Sequence, residues 1–301
     1  MLANNNKMII NKLAKNSVKS NKKQYGILFF TIVLSAFMLF CVFTIGLTYL
    51  DSSRLQNTRL NGAEYDITTM NGFTSKQVKS LQSNKNIQNV GMESYAGFIK
   101  SSEFDNTVEI GLLWCDETFW NNLMSPARTK LDGHYPQNKN ELMVTKDILK
   151  ACGNENLSVG DSIVLTYENN TGVHTDKFVI SGIWDGYGDK SAGFVSKNFY
   201  DETGYDLKND GILCIKLNRN YVLPTTIQSL EKSLNFSDRQ IFAPTDYIEN
   251  SFKLLLGICG LALVICLSAY LLIYNILYLS ISGKIRYYGL LQSLGMTKKQ
   301  L

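Results

Sequence analysis

Two uncharged apolar stretches constrain the fold of this 301-residue chain more than any other feature of its sequence. The first, Gly26 to Leu50, would reach about 37 Å as a helix, more than the ~30 Å hydrocarbon core of a bilayer. The second, Leu254 to about Ile281, carries three tyrosines in its C-terminal half, where interfacial rings are expected. A signal peptide has a shorter apolar region followed by small residues, whereas polar and charged residues follow Leu50. We therefore predict two permanent membrane spans.

Basic residues next to the two spans predict the orientation of the chain. Residues 1–25 carry six lysines and residues 284–301 carry four basic residues, and neither segment contains an acid. Because basic residues close to a span resist translocation, both ends are expected in the cytoplasm and residues 51–253 outside it, in a multi-pass protein of the cell membrane. The net charge of +4 follows from this asymmetry, so nucleic acid is not an expected partner.

The segment between the spans is long enough for a real core, and its pattern predicts an α+β domain. A hairpin is expected where Ser162–Tyr167 and Lys177–Ile183 flank the turn residues Asn169 to Gly172. The other predicted elements are three strands and two amphipathic helices. They are Thr107–Trp114, Leu142–Thr145 and Ile212–Leu217 as strands, and Thr74–Ser83 and Thr225–Leu234 as helices.

Two polar segments without glycine or proline adjoin the spans, Ser52–Leu60 and Thr245–Lys253, and we call them the stalks. They are expected to continue the membrane helices outward. Pro244 precedes the second stalk, and Glu249 follows Asp246 by three residues, which is typical of a helix start. An α+β domain on two helical stalks is an arrangement suited to carrying movement across a membrane.

The titratable residues between the spans do not indicate an enzyme. His134 and His174 are forty residues apart, each in a predicted polar loop that contains glycine, which favours solvated surface positions over a metal or acid–base role. Three aspartates near a glycine-rich segment are either turn formers, which we favour, or a cation site; they are Asp185, Asp189 and Asp201. Three cysteines have no metal-like spacing and are interpreted as small buried residues; they are Cys115, Cys152 and Cys214.

The twenty residues after the second span contain a helix, a break and a second helix start. Apolar residues recur at helical spacing from Ile281 to Leu294, and Gly295 is expected to end that helix. Thr297 can cap a new helix with Gln300 at its third position, and Met296 can pack on Leu301. Lys298 and Lys299 fall in the first turn, where positive charge opposes the helix dipole by up to ~1 kcal/mol each. They contact either lipid headgroups or an acidic protein surface, and the spacing does not separate the two.

This region resembles the FtsX-like, MacB-type permeases of ABC transporters, which carry R-x-x-G-L-L-x-x-x-G-x-[ST]-[KR]-[KR]-Q-[IL] after their second span. Ten residues match this pattern: Arg286, Gly289, Leu290, Leu291, Gly295, Thr297, Lys298, Lys299, Gln300 and Leu301. Tyr287 stands where many relatives have Glu. Weaker similarity to the family's extracytoplasmic domain covers GHYPQNKNELMVTKDIL, LSVGDSIVLTY and FVISGIW.

The resemblance implies a permease subunit whose coupling helix, Gly295 to Leu301, docks on a separate ABC ATP-binding subunit and passes its motion to the domain outside. The implied partners also include a second permease copy or half and the lipid bilayer. The chain itself needs no cofactor, since it lacks G-x-x-x-x-G-K-[ST] and its only Gly-Lys pair, Gly283 and Lys284, has no upstream glycine of that motif. Implied cargoes are lipids, lipoproteins and antimicrobial peptides.

The expected organisation has five parts: residues 1–25 as a basic cytoplasmic segment, 26–50 and 254–281 as spans, 51–253 as the domain, and 282–301 as helix extension and coupling helix. The first part is either an interfacial helix, with Ile10, Leu13, Ala14 and Val18 on one face, or an unstructured basic tail. Permeases of this family have at least two further spans, so we expect this chain to be a fragment, either a truncated gene product or one piece of a longer permease.

Two other classes of protein share the two-span layout. A membrane sensor with an extracytoplasmic ligand-binding domain would carry a heptad linker and a signalling domain after its second span. Here a glycine break and a helix start follow instead. A polysaccharide chain-length regulator would be expected to have a proline-rich second span, and this span has no proline.

Overall fold

The computed structural model describes residues 7–100, 110–187 and 192–293. The chain forms two compact units. We call Met1–Tyr49 with Leu255–Leu301 the membrane unit, and Leu50–Leu254 the inter-span domain. Together they give the predicted fold class, two apolar helices flanking a mixed α/β domain.

In the described part of the membrane unit all the secondary structure is helical, and short helices lie around the sheet of the inter-span domain. In chain order the helices are α1 Lys7–Ser20, α2 Lys22–Asn61, α3 Ser75–Gln82, α4 Lys146–Ala151, α5 Lys197–Tyr200, α6 Pro224–Ser233, α7 Asp246–Ser282 and α8 Ile285–Ser293. A π-helical turn, Phe119–Leu123, and a 3₁₀ turn, Ser125–Ala127, also occur.

Helices α2 and α7 are long and apolar enough to cross a membrane, each with a mean hydropathy of 2.6 over its most apolar window. Almost no residue of these two apolar segments is buried, whereas a core helix of a soluble protein is mostly buried. The two helices pack closely where a Cβ on Gly46 would lie 2.7 Å from the Ile258 side chain.

The helix after the second span is interrupted earlier than the sequence predicted. Helix α7 ends at Ser282, a turn covers Gly283 and Lys284, and α8 begins at Ile285. The Lys284 N–H donates to the Ile281 carbonyl at 2.9 Å, so the last turn tightens. Glycine is a poor helix former, which accounts for a break at Gly283. The predicted break at Gly295 lies outside the described residues.

Ten strands form one sheet within the described part of the inter-span domain. They are β1 Ile67–Met70, β2 Ile87–Lys100, β3 Ile110–Cys115, β4 Arg128–Gly133, β5 Glu141–Val144, β6 Ser162–Asn169, β7 Gly172–Gly186, β8 Ala192–Val195, β9 Ile212–Leu217 and β10 Ile241–Pro244. The sheet order is β10-β1-β9-β2-β3-β8-β5-β7-β4, and β6 pairs with both β2 and β7.

The pairing of β6 closes part of this sheet on itself, because a continuous circuit runs through β2, β3, β8, β5, β7 and β6. The main core fills this closed part, with Leu112, Leu142 and Ile180 among its fully buried residues. Strands β10, β1 and β9 extend the sheet beyond β2 and are covered by α3 and α6, around a second core that includes Ile67 and Ile215.

Most predicted elements of the domain are present, with shifted ends. The hairpin of β6 and β7 is confirmed, but Asn169 pairs with Gly172, so both strands are longer than predicted and the loop has only two residues. The strand predicted from Leu142 ends at Val144, because the Thr145 hydroxyl accepts from the Ile148 N–H at 3.2 Å and caps α4. Of the strand predicted at Thr107–Trp114, residues 107–109 lie outside the described residues.

Both stalks are helical, as predicted. Helix α2 continues through Ser52–Leu60 without a break to Asn61, and α7 begins at the second stalk. The cap of α7 is Thr245 instead of Asp246, because the Thr245 hydroxyl accepts from the Ile248 N–H at 3.4 Å. Asp246 and Glu249 then lie in the first turn, where negative charge stabilises the helix dipole.

Candidate functional site

The coupling helix predicted from the sequence, Gly295, Met296, Thr297, Lys298, Lys299, Gln300 and Leu301, lies outside the described residues. Four other residues of the motif lie on α8. Arg286, Gly289 and Leu290 are exposed there, and Leu291 is half-buried. A Cβ on Gly289 would meet no atom within 4 Å, so packing within the described chain does not require glycine at this position.

The described residues contain no group of three or more His, Cys, Asp or Glu side chains placed to hold a metal ion. His134 is exposed after β4, and His174 lies in β7, where the sequence predicted a loop. Asp185 also lies in β7, and Asp201 forms an ion pair with Lys197. Asp189 lies outside the described residues. The positions of Asp185 and Asp201 do not support the cation site that was considered from the sequence.

The predicted burial of the three cysteines holds for two of them. Cys115 and Cys214 are buried, and Cys152 is half-buried. Burial raises the pKa of the Cys115 thiol well above its ordinary value, so this sulfur stays protonated at neutral pH. Its surroundings are those of a structural cysteine instead of a reactive one.

Four charged side chains meet where the stalks join the sheet, and we call them the stalk-base network. Arg54 lies on the first stalk, Glu64 and Asp66 lie between that stalk and β1, and Lys216 lies in β9. The Arg54 Nη1 is 3.1 Å from Glu64 Oε1. The Lys216 Nζ is 3.3 Å from the same oxygen and 3.3 Å from Asp66 Oδ2, so the four charges alternate in sign and balance.

Asp66 also connects the network to the second stalk. Its side chain accepts from the Leu217 N–H at 2.8 Å, and its carbonyl accepts from the N–H of Thr245, the cap of α7, at 2.8 Å. Two residues further along α7, the buried Tyr247 donates its hydroxyl proton to the Asn220 carbonyl at 3.3 Å. Strand β9 and its following loop therefore contact both stalks, the first through Glu64 and the second through Asp66.

The two halves of the network differ in strength because they differ in burial. The Lys216 and Asp66 side chains are 7% and 2% exposed, whereas those of Arg54 and Glu64 are 31% and 23% exposed. Breaking a buried pair by removing one partner costs about 3–5 kcal/mol, but a partly exposed pair contributes roughly 1 kcal/mol or less. The contact between Arg54 and Glu64 is therefore the one that contributes less to stability and is easier to break.

Burial raises the pKa of the Asp66 carboxyl above its ordinary value. The Lys216 ammonium and the Leu217 N–H oppose that rise, because both favour the ionised carboxylate. Lys216 is the largest of the influences that hold the pKa of Asp66 down.

This network was not predicted from the sequence. Its members come from three separate segments, and no motif joins them. One signal was present: Lys216 interrupts the apolar run ILCIKL of a predicted strand, and a lysine buried in a sheet requires an acidic partner. The identity of that partner could not be read from the sequence, because nearly every acid of the domain was a candidate.

No protein-family profile matches the sequence, and no curated protein matches it. Solved structures with a similar fold include the periplasmic region of MacB from Actinobacillus actinomycetemcomitans, with 13% identity, a TM-score of 0.41, and coverage of 64% of this chain and 95% of that one. The extracellular domain of the ABC-type transporter YknZ from Gram-positive bacteria has 11% identity and a TM-score of 0.39, covering 60% of this chain and 99% of that one. These identities and TM-scores do not by themselves place the chain in a family.

Proposed function

We propose that this chain is the permease subunit of an FtsX-like ABC transporter and that it relays the motion of a partner ATP-binding subunit to the inter-span domain. The observation that carries the proposal is the sequence pattern from Arg286 to Leu301, with ten residues at the positions of the family motif. The open face of α8 at Gly289 is compatible with the close approach of another protein surface.

The relay depends on two helices that run from the spans into the stalks. An α-helix is stiff along its axis because each peptide group is hydrogen-bonded to the next turn. Helix α2 is unbroken for 40 residues and α7 for 37, so a displacement at the membrane end of either helix reaches its stalk.

The stalk-base network then distributes the displacement into the sheet. The buried pair of Asp66 and Lys216 holds the start of α7 on β9, whereas the weaker contact of Arg54 with Glu64 lets the first stalk move with a smaller cost. We assign the fixed role to the second stalk and the mobile role to the first. Cargo from the classes that the family handles, a lipid, lipoprotein or antimicrobial peptide, would be moved by the resulting change in the domain.

Charge reversal at Lys298 and Lys299 tests the docking role. Lys298→Glu with Lys299→Glu is expected to lower the amount of ATP-binding subunit that co-purifies with the chain by about tenfold or more, because two cations are replaced by repelling anions at an acidic surface. The retained subunit and the ATPase activity of the purified complex are the readouts.

The matched control is Lys146→Glu with Lys150→Glu on α4, which makes the same charge change at two exposed positions of the inter-span domain. Tryptophan fluorescence of both variants reports whether the domain is folded, since Trp114, Trp120 and Trp184 are all buried in it. Equal retention of the ATP-binding subunit by the two double variants would refute the docking role and would favour contact of Lys298 and Lys299 with lipid headgroups.

A further inference from the structure

A cleft of about 550 Å³ opens at one edge of the inter-span domain, and we call it the amide cleft. It lies where β1 ends at Met70 and where the loops before β9 and β10 come together. At the other end of the same strands, Ile67 pairs with Pro244, next to the start of α7. The volume of the amide cleft is that of a small-molecule site. About 10 Å of strand β1 separates the cleft from the stalk-base network.

The floor of the amide cleft is a pair of glutamine side chains. Gln77, only 7% exposed, and Gln240 exchange two hydrogen bonds of 3.2 Å. Their remaining amide hydrogens are also used, since Gln77 Nε2 donates to the Leu234 carbonyl at 3.1 Å and Gln240 Nε2 donates to the Gly72 carbonyl at 2.7 Å. These bonds connect the turn after β1, helix α3 and the loop before β10, so the walls are fixed before any ligand arrives.

One close approach of two loops supports this arrangement. Gly72 has a φ of +89°, and a Cβ there would lie 1.9 Å from the carbonyl oxygen of Lys208. Only glycine therefore allows the turn after β1 to contact the loop that carries Lys208. This contact places the loop that carries Lys208 next to the glutamine pair of the cleft.

All the charged residues that line the amide cleft are basic: Lys76, Lys208 and Arg239. None of the three forms an ion pair within the described residues. Arg239 is oriented by a hydrogen bond of 3.0 Å from its Nη2 to Asn209 Oδ1. The neighbouring Asp206 does not line the cleft. Its side chain accepts hydrogen bonds from Asn209, and its carboxylate also interacts electrostatically with Lys208 at a distance longer than an ion pair.

Lys76 is not explained by the stability of its own helix. It is the second residue of α3, and a cation in the first turn opposes the helix dipole. The capping box between Thr74 and Gln77 already satisfies the Gln77 N–H, whereas the N–H groups of Ser75 and Lys76 have no partner within the helix. An anion in the cleft would balance the positive charge of Lys76 and could accept hydrogen bonds from the N–H groups at the start of α3.

The rest of the lining is polar. Amide and hydroxyl side chains surround the three cations, and Leu234 is the single apolar side chain among the lining residues. Such side chains recognise hydroxyl groups by hydrogen bonds. We propose that the amide cleft binds a polyol phosphate, a ligand in which phosphate groups stand next to hydroxyl groups, with the cations on the phosphate and the amides on the hydroxyls.

Binding is measured on the full chain in nanodiscs of neutral phosphatidylcholine, by calorimetric titration. The soluble probes are glycerol 3-phosphate and neutral glycerol, and the membrane probe is vesicles of phosphatidylglycerol. Wild-type protein is expected to bind a phosphate-bearing probe but not glycerol, and to bind it more weakly as salt is raised. Binding of glycerol 3-phosphate identifies a free polyol phosphate as the ligand, and binding of the vesicles alone identifies a lipid headgroup.

The variant Lys76→Gln, Lys208→Gln and Arg239→Gln removes the three cations while leaving the amide floor in place. Its affinity for the bound probe is expected to fall about tenfold or more. The matched control carries Lys130→Gln, Lys146→Gln and Lys150→Gln, which removes three exposed lysines elsewhere in the domain and should bind like wild type.

Two results would overturn the proposal: absence of binding of both phosphate-bearing probes to folded wild-type protein, or equal loss of affinity in the cleft variant and its control. Because binding is measured without an ATP-binding subunit, failure of the permease proposal would leave this test unaffected.

Discussion

Replacing Lys216 with methionine is expected to lower the free energy of unfolding of the inter-span domain by about 3 kcal/mol. The change leaves the Asp66 carboxylate, 2% exposed, without its buried cation. Chemical denaturation followed by tryptophan fluorescence measures the effect, since all three tryptophans of the chain lie in this domain.

The destabilisation by Lys216→Met should also depend on pH. Burial raises the pKa of Asp66, and loss of Lys216 removes the largest influence that lowers it. Folded protein then binds a proton more readily than unfolded protein, so the free energy of unfolding of the variant rises as the pH falls toward the unfolded pKa of the carboxyl. The loss relative to wild type is therefore expected to be smaller at pH 5 than at pH 8.

Two further variants separate the buried pair from a general effect of the substitution. Lys177→Met makes the same change at an exposed position of β7 and should alter stability by less than about 0.5 kcal/mol. Asp66→Asn combined with Lys216→Met removes both charges and should recover more than half of the loss. If Lys216→Met and Lys177→Met had equal effects, Asp66 and Lys216 would not form the strong half of the stalk-base network.

Introducing proline at Gln56, in the first stalk, is expected to break helix α2 and interrupt the relay. Proline inside a helix removes one hydrogen bond and clashes with the preceding turn, at a cost of about 3 kcal/mol. Local opening of the stalk should then accelerate amide hydrogen exchange in residues 53–61 by about 100-fold. In the complex with the ATP-binding subunit, addition of ATP should change exchange in the inter-span domain of wild type but not of Gln56→Pro.

Gln56→Ala is the control for the proline variant, because Gln56 is exposed and alanine is the better helix former. It should retain slow exchange in the stalk and the response to ATP. A Gln56→Pro protein whose domain still responds to ATP would show that continuity of α2 is not needed for the relay.

Features with a strong local pattern were predicted well from the sequence. An apolar run without charges is enough to place α2 and α7, and the alternation and turn residues from Ser162 to Ile183 are enough to place the hairpin. Strand β2 was missed, although it is 14 residues long, because polar residues and two glycines interrupt its pattern. One of them, Gly97, lies at an irregularity in the pairing with β3.

Features made by distant segments could not be predicted. The stalk-base network joins a helix, a connecting segment and a strand, and only the topology brings them together. The amide cleft is formed by helix α3 and by loops that are distant from it in the sequence, and its glutamines and lysines looked like ordinary surface residues. The break at Gly283 was overlooked because the apolar spacing on either side of it is that of one continuous helix.

Affinity purification of the tagged chain from its native membranes tests the central claim most directly. We expect an ABC ATP-binding subunit to co-purify with the chain in near-equal amounts, and its retention to depend on Lys298 and Lys299. Purification of the folded chain without any ATP-binding subunit, or with a signalling protein in its place, would contradict the assignment as a permease.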